Sequence, residues 1–174
     1  MPVKESFEEV YEKHFSEIYN FVYSQLLHRE MAEDIVSDVF MKAMTNYDRY
    51  DPSKASVRTW LTHIARNTLI DQYRRKGNRG NVSLDDEESG VIEPSFEDEY
   101  EIFHEAQEKE VYNILSKLTE AERELLGMIY FQNMKNEEVA SVLGINAKAV
   151  SARHHRLLQK CRDLEKGLDI SDFV

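Results

Sequence analysis

The stretch Asn136–Leu164, "NEEVASVLGINAKAVSARHHRLLQKCRDL", decides how the chain is read. Val139, Ala140, Val142 and Leu143 crowd one side of a short helix that stops at Gly144, and Asn146 stands where it can cap a longer one. Two helices joined by a tight glycine-containing turn form a helix-turn-helix, whose second helix enters the major groove of DNA. An ordinary helical hairpin has the same spacing. Charge separates the two readings: from Ile145 to Arg162 the chain carries Lys148, Arg153, Arg156, Lys160 and Arg162 and no acid, which suits a phosphate backbone.

Upstream, Thr119 followed by Glu122 is a capping box that opens a helix holding Leu125, Leu126 and Ile129. Before it, Tyr100, Phe103, Val111, Ile114, Leu115 and Leu118 repeat at helical steps. Further back, "GNRGNVSLDDEESGVIEPSF" has Gly, Asn, Ser, Pro and acids without a period, so it reads as a linker. From Val82 to Glu110 there are twelve acids against Lys109 alone. The plain reading of such a run is a disordered tether that avoids nucleic acid.

The acidic middle separates two basic ends. In "WLTHIARNTLIDQYRRKGN" (Trp60–Asn78), aromatic and apolar residues interleave with Arg66, Arg74, Arg75 and Lys76. From Lys54 to Gly80 seven basic residues face one acid, Asp71. A formal net charge of −11 therefore conceals two cationic segments, and segregation of this kind speaks about partners, not fold. Ser53 or Ser56 can cap the helix of Trp60, Leu61, Ile64 and Ala65. "YDPSK" precedes it, where Pro52 disfavours helix. Phe7, Val10, Tyr11, Phe15, Ile18, Tyr19, Val22 and Leu26 mark a long first helix, and Met31, Ile35, Val39, Ala43 and Met44 a second.

Six Gly, three Pro and the absence of alternating strand patterns point to an all-α chain of two small helical domains. The single Cys161 excludes an internal disulfide and any Cys-paired zinc motif. His154, His155 and Cys161 have no further ligand at zinc spacing, so neither metal nor cofactor is expected. No apolar run reaches the roughly 20 residues that span a bilayer, and no signal peptide opens the chain. A cytoplasmic protein without membrane insertion is expected.

Three stretches, "AEDIVSDVFMKAMTNYDRYD", "VRTWLTHIARNTLIDQYRR" and "LSKLTEAERELLGMIYFQNMKNEEVASVLGINAKAVSARHHR", resemble in this order the sigma-70 family of RNA polymerase sigma factors, specifically its extracytoplasmic-function group. The resemblance runs from Phe7 to Lys76 and from Leu115 to Leu164. It implies sigma domain 2 over residues 1–80, an acidic flexible linker over 81–98, and sigma domain 4, with the helix-turn-helix, over 99–174. It also implies core RNA polymerase and promoter DNA as partners, a dedicated anti-sigma factor, and a stress or envelope-signal response. The linker would thread the polymerase near the template and RNA path.

Residue by residue, Asp34, Ser37 and Asp38 match positions that dock on the clamp coiled coil of the polymerase, though an amide or longer polar side chain is more usual at Ser37. Trp60 and Asn67 fall in the part that resembles the promoter-melting segment. An unpaired base needs an aromatic wall and a hydrogen-bonding edge, and Asn reads base edges. Trp60 is also in phase with Leu61 and Ile64, as a core residue would be. Arg66, Arg74, Arg75 and Lys76 suit phosphate contacts at the −10 element. Ser151, Ala152, His155 and Arg156 match positions facing the −35 element, with Lys148, Arg153 and Lys160 as phosphate holders. A basic residue is commoner at Ser151, an apolar one at His154, and a small N-cap at Lys135, where Asn136 can cap one residue later.

Two further readings belong to other classes. An autonomous helix-turn-helix repressor would bind duplex DNA unaided and needs neither the Trp60 segment nor the linker. A nucleic-acid-processing enzyme could use the many carboxylates, but no phosphate-cradling Gly loop, nucleophile elbow or His–Glu metal motif is present. No catalytic residue is expected.

Overall fold

Helix α1 (Phe7–Leu26) starts where Ser6 and Glu9 cap each other. Ser6 Oγ accepts the Glu9 N–H at 3.2 Å, and the Glu9 carboxylate accepts the Ser6 N–H at 2.9 Å. It ends at Leu27, whose left-handed backbone (φ 53°) lets its N–H reach the Tyr23 carbonyl at 2.7 Å. Helix α2 (Arg29–Asn46) begins at once, with His28 Nδ1 accepting the Met31 N–H. So short a link makes α1 and α2 antiparallel neighbours. After α2 comes a 3₁₀ turn, Tyr47–Arg49, and an extended Tyr50. Ser56, not Ser53, then caps α3 (Val57–Asn78) by accepting the Thr59 N–H at 3.2 Å. Ser53 is engaged with the Asp51 carboxylate instead.

The chain here is a computed structural model that describes residues 3–78 and 105–165, and these fall into two compact units. The linker read over 81–98, with Tyr100 and Phe103, lies outside the described residues. No strand occurs among the described residues, and the fold is all-α.

In the first unit α1, α2 and α3 pack on one another. Val10, Ile18, Phe21 and Val22 meet Ala32, Val36, Val39 and Ala43, and Leu61, Ala65 and Leu69 close the core. Each of the Val, Ile, Leu and Phe side chains among them contributes about 1.5–3 kcal/mol of burial. α3 also buries Thr59, Thr62 and Thr68. Thr62 and Thr68 donate their hydroxyls to the carbonyls of Arg58 and Ile64, each at 2.8 Å, so they enter the core without an orphaned polar group. Arg58 binds both carboxylate oxygens of Glu17 at 3.1 Å, tying α3 to α1. Met44, expected on the buried side of α2, is exposed, because the buried stripe of that helix runs through Val36, Val39, Phe40 and Ala43.

The second unit holds α4 (Glu105–Ser116), α5 (Glu120–Leu126), α6 (Asn136–Leu143) and α7 (Ala147–Glu165). Thr119 and Glu122 form the capping box at α5, and Arg123 donates to the Leu118 carbonyl at 2.9 Å beyond the end of α4. The helix of Leu125 does not continue as α-helix to Ile129. It widens into a π-helical turn over Gly127–Phe131. Asn136 is the first residue of α6 rather than its cap: the cap position is Lys135, whose N–H is accepted by Glu138 at 2.8 Å. α6 ends at Gly144 with φ +67°, a conformation L side chains rarely adopt. Asn146 Oδ1 accepts the Ala149 N–H at 2.8 Å and so caps α7. Leu115, Leu118, Leu125, Met128, Val139, Val142, Val150 and Leu157 form the core.

Candidate nucleic-acid interface

α7 divides cleanly between packing and exposure. Val150 and Leu157 are buried, while Lys148, Ser151, Ala152, Arg153, His155 and Arg156 are all exposed. His154, Cys161 and Leu164, which follow Val150 and Leu157 at helical steps, are only half-buried. His154 Nε2 lies 3.1 Å from the hydroxyl of Tyr130 on the π-helical turn, with the two rings edge to face. Lys160 differs from the other basic residues named for phosphate. Its ammonium pairs with Glu122 at 2.7 Å, fastening α7 to the start of α5. Burial pushes the Glu122 carboxyl upward, but the bonds from Lys160 and Thr119 outweigh it and hold the group below its usual range. Burial also raises the Cys161 thiol. Among the described residues no group of three or more His, Cys, Asp or Glu is placed to hold a metal ion.

In the first unit two exposed faces lie on different helices. Asp34, Ser37 and Asp38 of α2 are exposed together at three- and four-residue steps. The same face runs on through Met41 (62% exposed) and Met44 (55%). Apolar periodicity counts Met44 with the core stripe and leaves Met41 out of it. On α3, Trp60, His63, Asn67 and Arg74 recur at helical steps along one face. Asn67, Arg74, Arg75 and Lys76 are exposed, and Arg66 is half-buried. Lys76 Nζ also lies 3.5 Å from Met31 Sδ.

Trp60 is half-buried in a cluster of aromatic rings. Its centroid lies 4.9 Å from Tyr50 and 6.1 Å from Tyr47, and those two tyrosines stack at 5.8 Å. His63 was not singled out in the sequence. Burial and the neighbouring Arg66 hold its pKa below the ordinary value of 6.5, and it stands between Trp60 and Asn67 along the helix. Its spacing of three from Trp60 and four from Asn67 was the signal available.

An all-α protein with a helix-turn-helix in one unit and a cationic, aromatic helix in the other belongs to the DNA-binding transcription proteins. Comparison with known proteins narrows this. The family model for sigma-70 region 2 matches residues 10–79, and that for sigma-70 region 4 matches residues 108–161. RNA polymerase sigma factor YlaC of Bacillus subtilis is 28% identical, over 90% of this chain and 90% of that protein. The extracytoplasmic-function sigma factor RpoE of Cereibacter sphaeroides is 30% identical, over 76% of this chain and 69% of that protein. A solved structure of sigma factor RpoE with the anti-sigma factor NepR, from Bartonella quintana, superposes with a TM-score of 0.73 at 21% identity, covering 94% of this chain and 98% of that one. The chain belongs to the sigma-70 family, in its extracytoplasmic-function group. It is an RNA polymerase sigma factor that directs core polymerase to promoter DNA. No described helix is long and apolar enough to cross a membrane.

Proposed function

We propose that the two promoter elements are divided between the two units. Residues 1–80 would dock on polymerase and open the −10 element, residues 99–174 would read the −35 element, and 81–98 would join them. The observation that carries this reading is the segregation on α7: the outward residues Ser151, Ala152, His155 and Arg156 take no part in the core that Val150 and Leu157 build. They are free to face a groove. Lys148 and Arg153 supply phosphate contacts beside them. Polymerase docking falls to Asp34, Ser37 and Asp38, with Met41 and Met44 as the apolar part of the same face. At the −10 element, Trp60 walls an unpaired base and Asn67 reads its edge, while Arg66, Arg74, Arg75 and Lys76 hold phosphates.

On this reading the protein has no catalytic activity of its own, works in the cytoplasm in a stress or envelope-signal response, and is held by an anti-sigma factor. The support for such an inhibitor is the fold shared with sigma factors solved in complexes of that kind. The test is transcription by reconstituted holoenzyme from promoter libraries randomised in either element. Substitutions on α7 should alter only the upstream preference and substitutions on α3 only the downstream one. Specific promoter binding by the isolated chain, without polymerase, would instead favour the repressor reading.

A further inference from the structure

The residues ahead of α1 are fastened to the segment that leads into α3. Lys4 Nζ donates to the Tyr47 carbonyl and, at 3.4 Å, to the Tyr50 carbonyl. The Tyr47 carbonyl belongs to the residue that closes α2 and also accepts the Tyr50 N–H at 3.0 Å, while Tyr50 follows the 3₁₀ turn. The same ammonium stands 4.4 Å from the centre of the Tyr47 ring and 5.9 Å from that of Tyr50. In return the Tyr47 hydroxyl donates to the Glu5 carbonyl at 2.6 Å, and the Glu5 carboxylate is paired with Lys13 of α1. Val3, Lys4 and Glu5 share the walls of an open cavity of about 220 Å³ with Tyr47, Tyr50, Pro52 and Val57. Trp60 packs on the rings of those two tyrosines.

We propose that Lys4 is a positioning residue for promoter opening: it clamps the Tyr47–Tyr50 stack and thereby sets the angle at which Trp60 is presented. Trp60 is only half-buried, so the core alone does not fix its ring. Its orientation is inherited from Tyr50 and Tyr47. Tyr50 is fixed at its far end by its hydroxyl, which donates to the Ala55 carbonyl at 2.9 Å. Tyr47 sits in a largely exposed turn, and besides its packing on Trp60 it is held from outside the turn by Phe7, Glu5 and Lys4. Removing the cation takes one bond from each of two carbonyls and uncovers the Tyr47 ring face at the same time. The proposal rests on the reading of Trp60 as a wall for unpaired bases, and its test separates the two.

Trp60 is the only tryptophan in the chain, so its fluorescence reports on this cluster alone. Full-length Lys4→Met keeps the stem and loses the charge, Lys4→Arg keeps the charge, and Tyr47→Phe removes only the bond to Glu5. Acrylamide quenching of Trp60 should rise in Lys4→Met and Tyr47→Phe and return to wild type in Lys4→Arg. Open-complex formation by the reconstituted holoenzyme, read by permanganate reactivity of unpaired thymines, should slow about two- to fivefold in Lys4→Met, the size of one exposed cation–π contact. It should recover in Lys4→Arg. Unchanged quenching in Lys4→Met overturns the proposal. So does changed quenching with wild-type opening, provided Trp60→Ala opens poorly. If Trp60→Ala opens as well as wild type, the role given to Trp60 is what fails.

Discussion

Lys160 on α7 and Glu122 on α5 are joined by a 2.7 Å ion pair, and Glu122 is also the residue that completes the capping box with Thr119. One carboxylate thus serves a helix start and an inter-helix tie. Lys160 is thereby partly withdrawn from the phosphate contacts its position on a basic helix suggests. Lys160→Met should cost about 0.2–1 kcal/mol of stability in the second unit and leave the salt dependence of promoter binding almost unchanged. Arg153→Ala should do the reverse, reducing the slope of log affinity against log salt by about 1 with no loss of stability. Denaturant midpoints and salt titrations of the holoenzyme on promoter DNA separate the two.

Arg156→Ala should relax preference at one base pair of the upstream element by about 1–3 kcal/mol, the value of a bidentate contact to guanine. Transcription from a library randomised in that element measures it. An equal loss on every sequence would make Arg156 a phosphate anchor.

Glu17 accepts two bonds from Arg58 and lies 3.2 Å from His14. Burial pushes its carboxyl up, but the bonds from His14 and Arg58 prevail and leave it below the ordinary 4.5. A depressed folded pKa contributes stability above the unfolded value that is lost as pH falls through the folded one. Wild type should therefore lose stability more steeply than Glu17→Gln below about pH 4.5, and Glu17→Gln should cost about 1 kcal/mol at pH 7. Urea midpoints across that range are the measurement.

Asn67→Ala should impair opening of the downstream element without lowering thermal stability, since Asn67 is exposed. Trp60→Ala should impair opening and also cost about 2–4 kcal/mol, because it removes the ring that packs on Tyr47 and Tyr50. Permanganate footprints beside thermal unfolding distinguish them.

Asp34→Lys combined with Asp38→Lys should weaken binding to core polymerase at least tenfold and leave the unfolding midpoint within a degree or two. Unchanged affinity would remove this face of α2 from the docking surface.

The helices of the second unit were legible because their signals are local. Thr119 with Glu122, Gly144 and Asn146 each mark a boundary by a bond or a dihedral that only a few residue types supply. The limits of legibility are physical as well. Apolar periodicity could not see that α3 buries Thr59, Thr62 and Thr68: Thr62 and Thr68 donate their hydroxyls to carbonyls of their own helix, and the Thr59 hydroxyl oxygen accepts from Ser56. It put Met44 inside, since hydropathy cannot tell a core methionine from one on a bare surface. The Lys4 clamp and the Glu122–Lys160 pair join residues 43 and 38 positions apart, and no pattern within a single helix encodes such a meeting. Among the candidate site residues, charge and spacing placed the exposed group of α7, whereas His63 was hidden by the generality of histidine.

The split on α7 between Val150 and Leu157 inside and Ser151, Ala152, His155 and Arg156 outside has an evolutionary consequence. Exchanges at the four outward positions disturb no packing, so the folding free energy places almost no constraint on them. On the proposed reading of this face, a duplicated copy of the gene would drift at these positions while remaining fully folded, and acquire a new set of target genes through few substitutions. The same independence would make the helix a place to rewrite targeting by design, with the scaffold left as it stands.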